Sequence, residues 1–410
     1  MAEFILIVFV LTYVGMALGR VPGLKIDRTG IALMAVVALL AAGAVGGREL
    51  GRFIDMPTLL LLFALMIVSA QFAAAGFYDA CAQRITAAEG SPAVLLAVTV
   101  AVAGALSTVL ANDIVVYAMT PVLCAGVRAR GLDPRPFLAG LAGASNAGSA
   151  ITVIGNPQNI LIGQVSGLDF WTFFIACGVP GVFALIAVFG AVWLVWRPAL
   201  RKAAPPTGLF AKVYPNRWQT GKGAIATVAL LTLFATPLPR EIGALVIAAC
   251  LLASRRLASR AMIGAVDWHL LLLFACLFSV TGALATTEYG SGAIAWLGAR
   301  DLLPNSLAVM APLALVGSNT IGNVPAVMLL LSLWPDPPTG ALYGLALLTT
   351  LAGNLFLVGS LANLIVAERA QQAGVSWGFR DHARAGVPMT VLSMAIAVIW
   401  LGVMEWMPWQ

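Results

Sequence analysis

The chain has 410 residues, 61% of them hydrophobic and only 10% charged, with a mean hydropathy of +0.96; soluble domains carry about 25% charged residues. This composition excludes a cytosolic enzyme and a nucleic-acid-binding protein, and it predicts an all-α polytopic membrane protein with no nucleic-acid partner. The formal net charge of +6 then orients loops in a lipid bilayer and says little about a ligand.

The first apolar segment, 3–18, has no basic residue ahead of it, and Arg20 follows it. That order is the reverse of a cleavable signal peptide, so this segment is expected to remain as a helix with its N-terminus outside. Segments at 30–46 and 57–78 follow. The next, 92–126, is too long for one crossing of roughly 20 residues and is interrupted by Asn112 and Asp113; it reads as two short crossings or as a re-entrant hairpin. Segment 136–165 carries the run SNAGSAITVIGNPQN from Ser145 to Asn159, which predicts a broken helix. After 168–196 comes the longest polar stretch, 197–222, rich in proline and basic residues. It predicts a cytoplasmic linker over 201–220, joining an N-terminal repeat (1–200) to a C-terminal one (221–410). Segments 221–236, 240–253 and 268–286 lead to a second overlong segment, 305–333, interrupted by Asn319 and Asn323, and to a second broken helix, 340–367. The last segment is 386–406.

Positive charge selects the topology. With two hairpins and ten crossings starting outside, 19 of the 23 Lys and Arg residues fall on the cytoplasmic side, and only Arg48, Arg52, Arg240 and Arg300 lie outside. This is a strong positive-inside bias, with both termini extracytoplasmic. The halves also repeat. LLLLFA occurs at 59–64 and at 270–275, an offset of 211 that also carries Asn112 onto Asn323; GNPQNIL from Gly155 matches GSLANLI from Gly359 at an offset of 204. An odd number of crossings between equivalent points gives an inverted repeat, as in many secondary transporters.

Non-helical backbone within a bilayer is tolerated only where it is buried in protein or lines a wet cavity, so clusters of Gly, Pro, Asn and Ser inside apolar segments mark a site. The candidates are Asn112 and Asp113 at the first hairpin tip, and Asn146, Ser149, Thr152, Gly155, Asn156 and Asn159 in the first broken helix. In the second half they are Asn319, Thr320 and Asn323 at the tip and Asn354, Gly359, Ser360 and Asn363 in the broken helix. Broken helices expose N–H donors and a positive dipole end, and asparagine donates and accepts through one side chain. Asp113 is the one acid placed inside an intramembrane segment, a functional candidate by default, and it is expected to exchange a coupling proton. A helix N-cap is the bland reading of the same residue.

The five cysteines stand singly with no CxxC spacing and read as small apolar residues; a metalloid site would need three of them to converge. Of the two histidines, His269 lies beside Asp267 at a helix entrance and His382 in a basic loop. No cofactor, no metal cage and no catalytic triad are expected, and there is no HExxH or GxSxG sequence.

Four motifs, Ala111-Asn112-Asp113 with Thr120-Pro121, Gly155-Asn156-Pro157-Gln158-Asn159, Gly322-Asn323-Val324-Pro325 and Gly359-Ser360-Leu361-Ala362-Asn363-Leu364, resemble the ion transporter superfamily over most of the chain. The likeness is to its SLC13-type permeases and to the arsenite and antimonite permease branch. The resemblance implies a scaffold and a mobile part in each half, two opposed re-entrant hairpins, a central site, a homodimer and elevator-like alternating access. Sodium-coupled relatives carry Ser-Asn-Thr at both tips, whereas the first tip here is Ala-Asn-Asp and the run Ser318 to Thr320 precedes the aligned position; proton coupling is therefore expected over sodium. The expected partner is a small inorganic or organic anion or a metalloid solute, and with no basic residue in the four clusters a neutral hydroxylated solute fits best. The expected function is proton-coupled efflux across a bacterial-type inner membrane. A carboxylate or inorganic anion permease and a passive channel are the alternatives.

Overall fold

The computed structural model describes residues 1–19, 23, 25–201, 214–334 and 336–410. Its elements are α1 (Ala2–Leu18), α2 (Arg28–Ala41), α3 (Gly47–Phe53), α4 (Met56–Ala74), α5 (Phe77–Ala87), α6 (Pro92–Val109), α7 (Asn112–Ala129), α8 (Arg135–Ser149), α9 (Pro157–Val165), α10 (Phe170–Val195) and α11 (Arg197–Leu200). The second half holds α12 (Arg217–Phe234), α13 (Arg240–Leu252), α14 (Ser259–Gly264), α15 (Trp268–Ala285), α16 (Glu288–Gly298), α17 (Leu307–Thr320), α18 (Asn323–Leu333), α19 (Thr339–Ala352), α20 (Leu361–Gln372) and α21 (Phe379–Val403). No strand occurs among the described residues. Five helices, α4, α6, α10, α15 and α21, are long and apolar enough to cross a bilayer on their own. Of the linker expected at 201–220, residues 202–213 lie outside the described residues, and Arg217 already opens α12.

Local sequence explains the helix starts. Asp27, Asp55, Asp169 and Asp267 cap α2, α4, α10 and α15, each carboxylate accepting the N–H three residues on. The two LLLLFA helices, α4 and α15, thus begin with the same device. Five helices were not foreseen as separate elements: α3, α5, α11, α14 and α16. All are short, one to about three turns, and such segments offer little periodicity to read. The last helix begins at Phe379, seven residues ahead of the expected 386, because a polar first turn hides its start.

The two overlong segments are hairpins. Arg130, after the end of α7, donates to the carbonyls of Thr86 (3.0 Å), Ala88 (2.8 Å) and Gly90 (3.4 Å), just ahead of α6. The chain therefore enters through α6, turns at Leu110–Ala111, and returns to the face it left. The second hairpin does the same from the opposite face. The start of α17 meets the C-terminus, with Leu307 N–H on Pro408 O at 2.9 Å, and a side chain on Gly340 near the start of α19 would strike Trp406 O. The start of α21, by contrast, meets the start of α8 through Arg135 and Asp381, 3.5 Å apart.

Each hairpin lies against the broken helix of its own half. α6 runs parallel to α8, with Leu96 opposite Gly140 and Gly104 so close to Gly148 that a Cβ there would strike Gly104 O; small residues permit this approach, as in membrane helix pairs generally. The repeat is also written in the bonds. Ser107 donates to Ser145 Oγ (3.3 Å), and at the equivalent positions Ser318 donates to Thr349 O (3.1 Å). Thr108 donates to Gly104 O and Gly148 O, and Asn319 to Leu315 O and Ala352 O. Residue for residue these pairs obey the offsets of 211 in the hairpins and 204 in the broken helices.

Candidate functional site

The breaks in α8–α9 and α19–α20 are closed by the asparagines that the sequence singled out. Asn159 Nδ2 donates to Ser149 O (3.2 Å) and Thr152 O (3.0 Å), while Asn363 Nδ2 donates to Gly353 O (2.8 Å) and Phe356 O (3.2 Å). Each side chain satisfies carbonyls that a broken helix leaves unpaired. Gly155 and Gly359 sit where the chain folds back: a Cβ on Gly155 would strike Ser149 O, and one on Gly359 would lie 2.8 Å from Gly353 O.

The two broken helices are stitched together by a second symmetric pair. Asn156 Nδ2 donates to Thr350 Oγ1 (3.3 Å), and its repeat-related counterpart is Ser360 Oγ donating to Asn146 Oδ1 (2.9 Å). Asn146 Nδ2 adds bonds to Asn354 Oδ1 (2.8 Å) and Asn363 Oδ1 (3.1 Å). Ser149 donates to Asn146 O and accepts from Asn156, and Thr152 reaches Thr108 O of the first hairpin at 2.5 Å.

At the centre, both hairpin tips and both breaks meet. Asn112, Asp113, Pro157, Gln158, Leu270, Asn323, Val324, Ser360 and Leu361 line a void of about 10 Å³, room for roughly one water. Four helices, α7, α9, α18 and α20, start at this void, so four positive dipole ends converge on it. Asn156 caps the first turn of α9, and the Asn323 side chain takes the Val324 N–H of α18; no side chain caps the N-termini of α7 and α20, which keep N–H donors for a ligand. The asparagines at the tips differ in what they offer. Asn323 Oδ1 accepts the N–H of Val324 (2.9 Å), which leaves its amide N–H₂ as the end facing the void. Asn112 Oδ1 is buried with no partner, a costly state for an acceptor.

Asp113 and Pro157 also line a larger cavity of about 390 Å³, walled by Leu62, Leu65, Met66, Ile114, Tyr117, Ile154 and Ile160 among other apolar groups. Of its lining residues Ala73, Tyr117, Gly264 and Ala265 are exposed, and the last two follow the basic run 255–260 in the chain. Asp267 joins Asp113 in its wall, and among the described residues no Lys, Arg or His does. Asp113 thus lines both the small central void and the larger vestibule.

Several residues lie elsewhere than expected. Thr320 is exposed and bonds back to Val316 and Gly317 carbonyls, because it falls on the far side of α17 from Ser318. Asn319 acts as a latch, its Oδ1 accepting the N–H of Phe356 at 3.1 Å. His382, read as a loop residue, is fully buried in the first turn of α21. Gln158 and Leu270 line the void without having been singled out. Gln158 was legible as part of GNPQN, whereas nothing local marks Leu270. One basic side chain does approach: Arg28 Nη1 stands 3.6 Å from where a Cβ would project from Gly322, a residue held at φ +98° at the second tip.

Known proteins agree with this architecture. Residues 5–336 match the CitMHS family, described as a citrate transporter. A 46 kDa membrane protein of Mycobacterium leprae is 28% identical across 96% of both chains. A Dictyostelium discoideum protein named as transporter arsB is 24% identical, covering 92% of this chain and 87% of its own. The Alcanivorax borkumensis YdaH transporter, whose crystal structure has an unusual topology, aligns at a TM-score of 0.58 and 16% identity over 98% of this chain and 97% of its own. With the family match spanning most of its length, the chain is a polytopic membrane transporter, not an enzyme, and belongs to the CitMHS family of the ion transporter superfamily.

Proposed function

We propose that this protein is a proton-coupled secondary transporter that exports a small, protonated or neutral oxyacid of the arsenous acid class across a bacterial-type inner membrane. The observation that carries this reading is the donor and acceptor pattern at the central void. The two uncapped helix N-termini of α7 and α20 and the Asn323 amide donate, while Asn112 Oδ1, unpartnered, and the Asp113 carboxylate accept. A fully ionised oxyanion would satisfy the donors but leave Asn112 Oδ1 without a proton and face Asp113 across a few ångströms of low-dielectric space. A hydroxylated solute satisfies both sets. The vestibule supports the same choice, with two acids and no base in its wall.

In this reading the basic face is cytoplasmic, both termini are outside, and residues 1–200 and 221–410 form the two repeats. The hairpins and the broken helices move together as an elevator against a scaffold that includes α4 and α15, within a homodimer. Solute enters from the cytoplasmic vestibule, and Asp113 gives up a proton to that side and regains one from the other. The five cysteines serve packing, and proton coupling is favoured over sodium.

A second reading, a carboxylate permease, is favoured by Arg28 beside the second tip and by the description of the family as a citrate transporter. Everted vesicles with an acid lumen separate the two. Accumulation of arsenite in preference to citrate is expected; accumulation of citrate and not arsenite would reverse the ranking.

A further inference from the structure

A second titratable group lies within reach of the same site. His382 is fully buried, and its Nε2 lies 3.0 Å from Asn354 O and 3.5 Å from Asn363 Nδ2. A carbonyl oxygen only accepts, so Nε2 carries the hydrogen. Nδ1 is then a bare acceptor, and it is buried without a partner. The ring is wedged edge-on against Trp377, centroids 6.0 Å apart, while the Cβ-free face of Gly386 admits the carbonyls of Asn354 and Leu355. From the imidazole a polar path leads inward through Asn354, whose carbonyl accepts from Nε2 and whose Oδ1 accepts from Asn146, and on to Ser360 at the wall of the void.

We propose that His382 is a second proton-binding site and a positioning residue, acting through Asn354 and Asn363 on the break of the second half. This rests on the transport function proposed above and adds a regulatory proton to it. The packing described fits only the neutral ring. A second proton, on Nδ1, finds no acceptor among the described residues, so a charged imidazolium must draw in water or swing away. Either motion disturbs the bonds that fix residues 353–360. Protonation therefore favours an arrangement other than this one, and by linkage the arrangement sets the proton occupancy.

The charged neighbours at this corner are few. α21 itself supplies Arg380, Asp381 and Arg384, and the approach to α8 supplies Asp133 and Arg135. Asp381 is engaged with Arg135 and with Gly378 N–H, and both Arg135 and Arg384 stack over Trp196, at 5.1 and 5.2 Å. α20 carries Glu368 and Arg369 in its last turns. The break 353–360 holds no ionisable side chain, α10 only Cys177, α17 none, and α19 only Tyr343.

The sequence makes the test clean, because His269 is exposed and is the one other histidine. In a His269→Gln background, nitrogen NMR of labelled histidine in nanodiscs reports His382 alone. Expected is a neutral Nε2–H tautomer at high pH that protonates together with shifts at Asn354 and Asn363. In transport, His382→Gln retains a donor for Asn354 O. Its rate is expected to lose most of a pH dependence that in the parent exceeds about threefold on the acid side of the range in which a free histidine titrates, because a buried ring with no acceptor for its second proton resists charging. An unchanged pH profile in His382→Gln, or an imidazole that stays neutral down to the pH where transport ceases, would overturn the proposal. If His382→Gln flattens the profile while Asp113→Asn keeps full gradient-driven transport, this inference survives and the role given to Asp113 fails. The reverse pattern removes His382 and leaves Asp113.

Discussion

Asn112 carries the most specific chemical claim about a single side chain. Its Oδ1 is a buried acceptor without a partner, in a residue that lines the central void together with the repeat-related Asn323. Replacing Asn112 by alanine removes that acceptor and is expected to weaken solute binding by about 1 kcal/mol, the typical net value of a hydrogen bond, or about fivefold in half-saturation. Saturation curves of solute uptake into proteoliposomes measure it. Asn112, Asn323 and Asp113 were legible because polar residues stand out in apolar runs. The division between asparagines that face the void and those that close backbone was not. Asn159 and Asn363 sit in the same motifs as Asn156 and Ser360, yet they turn inward to carbonyls seven and ten residues behind. That choice depends on the path of the break, which sequence spacing does not give. His382 was misplaced for a related reason: a basic, polar first turn reads as a loop until Asp381 and Gly378 are seen to close it as a helix start.

At the scale of elements, the hairpins and broken helices were legible because their length conflicts with a single crossing and because two offsets align them. Their contact partners were not, since the match of Gly104 to Gly148 is a property of two surfaces. The break itself depends on close approach at Gly155, where a Cβ would strike Ser149 O. Gly155→Ala is therefore expected to destabilise the protein by about 1–3 kcal/mol, the usual cost of overpacking, seen as a lower melting temperature in detergent. Gly190→Ala, toward the C-terminal end of α10 with open space where its Cβ would go, is expected to be neutral or mildly stabilising, since alanine is the better helix former.

The whole molecule is two inverted halves whose four helix N-termini meet at a small void, beside a larger vestibule. On the opposite side a clasp holds the halves together: Arg240 donates to Gly163 O (3.1 Å) and Leu168 O (2.6 Å), and Gln164 to Glu241 (2.9 Å). Ser69 of α4 accepts the N–H of Ala111 at the first hairpin tip, 3.1 Å away, and so bridges the proposed scaffold and the proposed mobile unit. A Ser69→Cys, Ala111→Cys pair in a background without the native cysteines is expected to form a disulfide on oxidation, stop transport, and recover on reduction, as radiotracer flux would record. Sustained flux in the cross-linked protein would mean that hairpin and scaffold do not move apart. The most direct test of the account remains Asp113, the one ionisable residue that lines both cavities. In proteoliposomes, Asp113→Asn is expected to lose accumulation of arsenite driven by a pH gradient, by about tenfold or more, while keeping exchange of labelled for unlabelled arsenite without a gradient. Full gradient-driven accumulation by Asp113→Asn would contradict it.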